Sequence, residues 1–156
     1  MSVETETETK VIVESGSWVS GVLAGIAGSV VMAVVMVAMG ATPVLAGAMP
    51  GLYTLAPPAN PVAGVFVHLS HGAVLGVVFL AALNAADVSD PRRVVAAALG
   101  YGVLAWVLLA ALVMPVWLGV VGFPNAPPFP NFAVPSLLWH LVYGATLGAV
   151  VVALER

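Results

Sequence analysis

The sequence predicts an all-α membrane protein whose four transmembrane helices form two tandem, parallel two-helix repeats. Three observations carry this. First, the four basic and seven acidic side chains fall in three short segments. These are Glu4, Glu6, Glu8, Lys10 and Glu14 at the start, Asp87, Asp90, Arg92 and Arg93 in the middle, and Glu155 and Arg156 at the end. The blocks between them, Ser15–Ala86 and Val94–Leu154, carry no charge. A helix crosses the hydrocarbon with about 20 apolar residues, so each block is too long for one crossing and long enough for two. Second, 62 % of the chain is hydrophobic, against about 45–50 % in soluble domains, and its mean hydropathy is +1.12. Third, the chain repeats itself. A shift of 72 residues lays His68-Leu-Ser-His-Gly-Ala-Val-Leu-Gly-Val-Val78 on His140-Leu-Val-Tyr-Gly-Ala-Thr-Leu-Gly-Ala-Val150, with seven of eleven positions identical.

The elements follow in order. Residues 1–14 alternate Thr and Glu and read as a disordered acidic cytoplasmic tail. Residues 15–156 read as the four-helix transmembrane domain, with repeat units of about 21–83 and 93–154. The first crossing opens near Ser15–Ser17, which can cap it, and runs to Thr42, where Pro43 is expected to stop it. Asn60-Pro61 is a cap followed by the first helical position, so the second crossing starts there and runs to about Leu83. Asp90-Pro91 repeats that signal for the third crossing, which is expected to stop at Met114-Pro115. The fourth follows Asn131 and ends near Leu154. The ungapped shift pairs Pro43 with Pro115 as matching breaks. Two crossings per unit give the copies the same orientation, related by an axis along the membrane normal.

Basic residues occupy only the tail, the loop between the second and third crossings, and the C-terminus. The positive-inside bias therefore puts both termini in the cytoplasm of a multi-pass plasma-membrane protein. The acidic start also argues against a cleavable signal peptide. Cysteine is absent, which removes disulfides and thiolate chemistry. Four basic residues make no phosphate-binding stripe, and no Gly-rich nucleotide loop occurs, so neither nucleic acid nor nucleotide is expected as a partner. The uncharged loops, 41–61 and 115–132, are rich in proline and hold Tyr53, Trp117, Phe123, Phe129 and Phe132. They read as an interfacial aromatic belt or, alternatively, as a lid or docking surface.

His68, His71 and His140 are the only side chains within the crossings that titrate near neutral pH. His68 is followed by Gly72 and Gly76, and His140 by Gly144 and Gly148, at helical spacing. On one reading the glycines let backbones pack closely, and each imidazole is an interhelical hydrogen bond. On the other, His68 and His140 face each other as axial ligands of a b-type haem, with the glycines clearing space for the macrocycle. A metal site would add His71, which shares a face with His68. Its counterpart in the other copy is Tyr143, which disfavours two symmetric sites. Met32, Met36 and Met39 form a stripe that reads as core. No carboxylate or basic group lies within the blocks 15–86 and 94–154, so the usual parts of a proton relay are missing.

The tandem His-x-x-x-Gly-x-x-x-Gly helices, the Pro-rich loops and the segment Gly21-Val-Leu-Ala-Gly-Ile-Ala-Gly28 resemble short four-helix integral membrane proteins of uncharacterised haloarchaeal families. That resemblance implies location, not activity. The expected function is a non-catalytic accessory subunit or scaffold of a membrane complex, respiratory ones included, with the lipid bilayer and other membrane subunits or further copies of itself as partners. The alternatives are a haem- or metal-binding redox protein using His68 and His140, and a channel or carrier for a neutral small molecule.

Overall fold

The computed structural model describes residues 2–155, with side chains from Trp18 to Glu155. The tail expected over 1–14 lies outside the residues described to the side chain. All regular structure among the described residues is helical: α1 (Ser2–Ala38), a π-helical segment (Val44–Ala48), α2 (Met49–Gly51), α3 (Pro61–Ala85), α4 (Pro91–Ala105), a second π-helical segment (Trp106–Val113), α5 (Met114–Val120) and α6 (Val134–Leu154). Four stretches are long and apolar enough to cross a membrane: Trp18–Ala38, Pro61–Ala85, Pro91–Val120 and Val134–Leu154.

Local chemistry explains the starts. Asn60 caps α3 by accepting from the Ala63 N–H at 3.1 Å, and Asp90 caps α4 by accepting from the Arg93 N–H at 3.0 Å. Pro61 and Pro91 follow, where a missing N–H costs nothing. By contrast, α6 begins at Val134 behind Ala133, with no side-chain cap.

The expected proline breaks are not where the helices end. Gly40 closes α1 in the left-handed conformation at φ 79°, with Gly40 N–H bonded to Val37 O and Ala41 N–H to Met36 O. This is a Schellman closure, and Pro43 merely opens the first π-helical segment. Pro115 does not stop the third stretch either, which continues to Val120. The reason is a relocation of hydrogen bonds. Met114 N–H reaches back five residues to Leu109 O, in π fashion. Pro115 has no N–H for Ala111 O, and that carbonyl instead accepts from Asn131 N–H at 2.9 Å. The same device stands at Met49-Pro50. There Met49 N–H bonds Val44 O, and Ala46 O, freed by Pro50, accepts from Asn60 N–H at 2.7 Å. Pro115 is thus matched in its local structure by Pro50, not by Pro43.

Two antiparallel seams and a third contact hold the bundle. Between α1 and α3, a Cβ built at Gly25 would strike Gly72 O, and one at Gly76 would strike Gly21 O. Between α4 and α6, a Cβ at Gly144 would strike Ala98 O, and one at Gly148 would lie 2.7 Å from Ala98 Cβ. The α6 face also meets α1, where Gly28 lies under the Tyr143 ring. Met32 and Met36 are buried in the shared core with Phe79, Leu80 and Leu147. Met39 is exposed, so only part of the methionine stripe is core. The outward faces are equally apolar: Val34 is 63 % exposed, Val62 81 % and Phe66 72 %. Large apolar side chains on the outside at this density suit hydrocarbon and not water.

Candidate functional site

Most polar side chains of the interior end on backbone carbonyls. His68, on the α3 face turned to α1, is buried, and its Nε2 lies 3.0 Å from Ser29 O. Since a carbonyl only accepts, Nε2 carries the proton, and the lone pair is on Nδ1. His140 is arranged the opposite way. Its Nδ1 donates to Ser136 O at 2.7 Å, one turn back on its own helix, so its lone pair is on Nε2. His71 pairs with the loop: its Nε2 is 2.7 Å from the Tyr53 hydroxyl, and the two rings sit 5.8 Å apart. Each imidazole is held by a different partner: Ser29 O for His68, Tyr53 for His71 and Ser136 O for His140. Among the described residues no group of three or more His, Asp or Glu side chains is placed to hold a metal ion.

Two tyrosines join the helices at mid-bundle. Tyr143, 72 residues on from His71, donates from α6 to Gly72 O on α3 at 3.0 Å. Tyr101 donates from α4 to Leu75 O at 2.9 Å, with its ring 5.2 Å from that of Phe79. The Gly72 and Gly76 positions, which a flat macrocycle would need clear, are filled by Ser29, Gly25 and Gly21 of α1. Gly144 and Gly148 are filled by α4 in the same way. Ser29 and Tyr101 are the interior residues that sequence reasoning missed. Serine on a helix and a lone tyrosine carry no local signal of an interhelical role.

The uncharged end is a folded cap. Trp117 of α5 donates its indole N–H to Leu52 O at 2.9 Å, and the Phe123 ring covers Gly47 and Gly51. Trp139 donates to Met39 Sδ at 3.2 Å. Trp106, in the second π-helical segment, holds the one buried side-chain nitrogen without a hydrogen-bond partner among the described residues; its ring packs edge-on against Phe132 at 5.5 Å.

Among the described residues, fold and interior together define four membrane-compatible helical stretches whose inward histidines and tyrosines bond backbone carbonyls. Residues 15–156 match the model of a family of unknown function, DUF6789, and the chain belongs to that family. No curated protein and no solved structure matches it.

Proposed function

We propose that the protein is a non-catalytic accessory subunit or scaffold of a membrane assembly, respiratory complexes among the candidates. It sits in the plasma membrane with both chain ends and the 84–90 turn in the cytoplasm, as the placement of Lys10, Arg92, Arg93 and Arg156 favours. The observation that carries this reading is how the interior polar groups are used. His68, Tyr101 and Tyr143 each bond a carbonyl of another helix, and Ser70 and Thr146 bond back to their own, so the hydrogen-bonding capacity of the first three goes to holding the bundle. The Trp117–Leu52 bond and the Phe123 packing make the uncharged cap a built surface suited to contact at the headgroup level.

Units 21–83 and 93–154 are proposed as copies of one two-helix element. The support is the shared Met-Pro device with its back-bonded asparagine N–H, together with the His-x-x-x-Gly-x-x-x-Gly helices. Met49-Pro50 and Met114-Pro115 are 65 residues apart while His68 and His140 are 72 apart, so the copies align only with a gap.

One observation favours the second reading, a haem- or metal-binding protein. His140, with Nδ1–H on a carbonyl and a lone pair on Nε2, has the arrangement of a metal-ligating imidazole. His68 has the mirror-image arrangement, Nε2–H on Ser29 O and the lone pair on Nδ1, so the two imidazoles would ligate through different nitrogens. Purification in a mild detergent, with an absorption spectrum and a mass by light scattering, separates the two. The scaffold reading expects an assembly larger than one chain and no Soret band. Single chains with a Soret band that disappears in His140→Gln would replace it with the redox reading.

A further inference from the structure

At the charged end, beyond the contact of Gly148 with Val95, the seam between α4 and α6 opens into a groove of about 540 Å³. Its walls are Pro91, Val95, Ala149 and Val152, and Arg92 is its one charged lining residue. The groove is open along its outer side, as a site filled from the surrounding lipid would be. We propose that this groove binds one anionic membrane phospholipid, its phosphate on the Arg92 guanidinium and the upper part of an acyl chain along Val95, Ala149 and Val152. The inference rests on the chain spanning a bilayer and is independent of any scaffold role.

The order of chemistry along the groove carries the argument. Arg92 is the second residue of α4, and Val152 lies two residues before the end of α6, so both stand where the apolar stretches meet the headgroups. Val95 and Ala149 lie about one turn deeper on their helices. The groove is therefore cationic at its mouth and apolar below, the polarity of a lipid entering from its own leaflet. A water-soluble anion would gain nothing from the apolar walls. Charge complementarity also points to an external anion. Among the described residues Arg92 has no carboxylate partner, while Asp90, the nearest in sequence, spends Oδ1 on the Arg93 N–H. Arg93 is not among the groove residues, which supplies an internal control.

The full chain, reconstituted into vesicles of equal phosphatidylglycerol and phosphatidylcholine, is extracted in a mild detergent, and retained lipid is counted by native mass spectrometry. Wild type, R92K and R93Q should retain phosphatidylglycerol in preference to phosphatidylcholine. R92Q should lower the retained phosphatidylglycerol about fivefold, equivalent to the about 1 kcal/mol of one basic side chain near an anionic surface. A149F keeps every charge but fills the groove, and should lower retention of both lipids. Equal losses in R92Q and R93Q with A149F unaffected would mean diffuse attraction to a charged rim and would overturn the site. So would a wild type without preference between the two lipids.

Discussion

The α1/α3 seam and the α4/α6 seam present the same motif to different partners. Both α3 and α6 carry His-x-x-x-Gly-x-x-x-Gly, yet α1 answers with Gly21, Gly25 and Ser29, whereas α4 answers with Val95, Ala98 and Gly102. At Gly21, Gly25 and Gly76 the first seam is backbone against backbone, as the second is at Gly102 and Gly144. At Gly148 the second is backbone against the Ala98 methyl and Val95. The histidines divide in the same way: His68 reaches across its seam to Ser29 O, and His140 bonds its own helix at Ser136 O. A helical motif thus specifies a surface, and the partner helix decides what that surface is used for.

Glycine substitutions should give the largest effects and are the strongest attempt to break the comparison. In Gly25→Ala the new methyl meets Gly72 O and Gly72 C, which are backbone and cannot swing aside. The cost should exceed the about 1–3 kcal/mol typical of overpacking. Gly148→Ala meets the Ala98 methyl at 2.7 Å and Val95 Cα at 3.1 Å, and should fall within that range. Gly100→Ala faces open space and should be close to neutral. Unfolding free energies measured in one detergent would rank the three. Equal costs for Gly25→Ala and Gly148→Ala would show that the seams do not differ.

The histidines should sharpen the same contrast at a smaller scale. His68→Ala removes an interhelical hydrogen bond and should cost about 1–2 kcal/mol, partly restored in His68→Gln, whose amide N–H can approach Ser29 O. His140→Ala removes only a bond within α6 and should cost less. Thermal unfolding of the three variants would check the order, and a larger loss for His140→Ala would point to a partner or ligand at its Nε2.

The four membrane-compatible stretches were legible because charge is excluded from hydrocarbon, and that rule acts residue by residue. The starts of α3 and α4 were legible for a similar reason: Asn60-Pro61 and Asp90-Pro91 each complete their chemistry within four residues. The ends were not. Whether Pro115 breaks a helix depends on Asn131 N–H arriving at Ala111 O from a loop, and sequence spacing carries no trace of that visit. A local clue did exist in the dipeptide Met-Pro, at 49–50 and 114–115, but an ungapped shift paired Pro115 with Pro43 and hid it. At the interior, the glycines and histidines were visible as a pattern. Their separate partners were not: helix rotation and register bring Ser29 O to His68 and Gly72 O to Tyr143, while His140 turns to Ser136 O on its own helix.

The smallest contrast lies between the two asparagines that precede α3 and α6. In sequence Asn60 and Asn131 look equivalent, each standing shortly before a helix that carries the histidine motif. In structure they share one role and differ in another. Both donate a backbone N–H to a carbonyl freed by proline, Ala46 O for Asn60 and Ala111 O for Asn131, and alanine keeps that bond. Only the Asn60 side chain also caps its helix, through Ala63 N–H. Asn60→Ala should therefore cost about 1 kcal/mol, the usual value of a lost N-cap. Asn131→Ala should change stability little, since α6 starts at Val134 with no side-chain cap to lose. Amide exchange in the first turns of α3 and α6 reads this directly: Asn60→Ala should speed exchange at Ala63, while Asn131→Ala leaves the start of α6 unchanged. Equal acceleration in both helices would show that Asn131 caps as well, and the asymmetry between the two halves would then be confined to their seams.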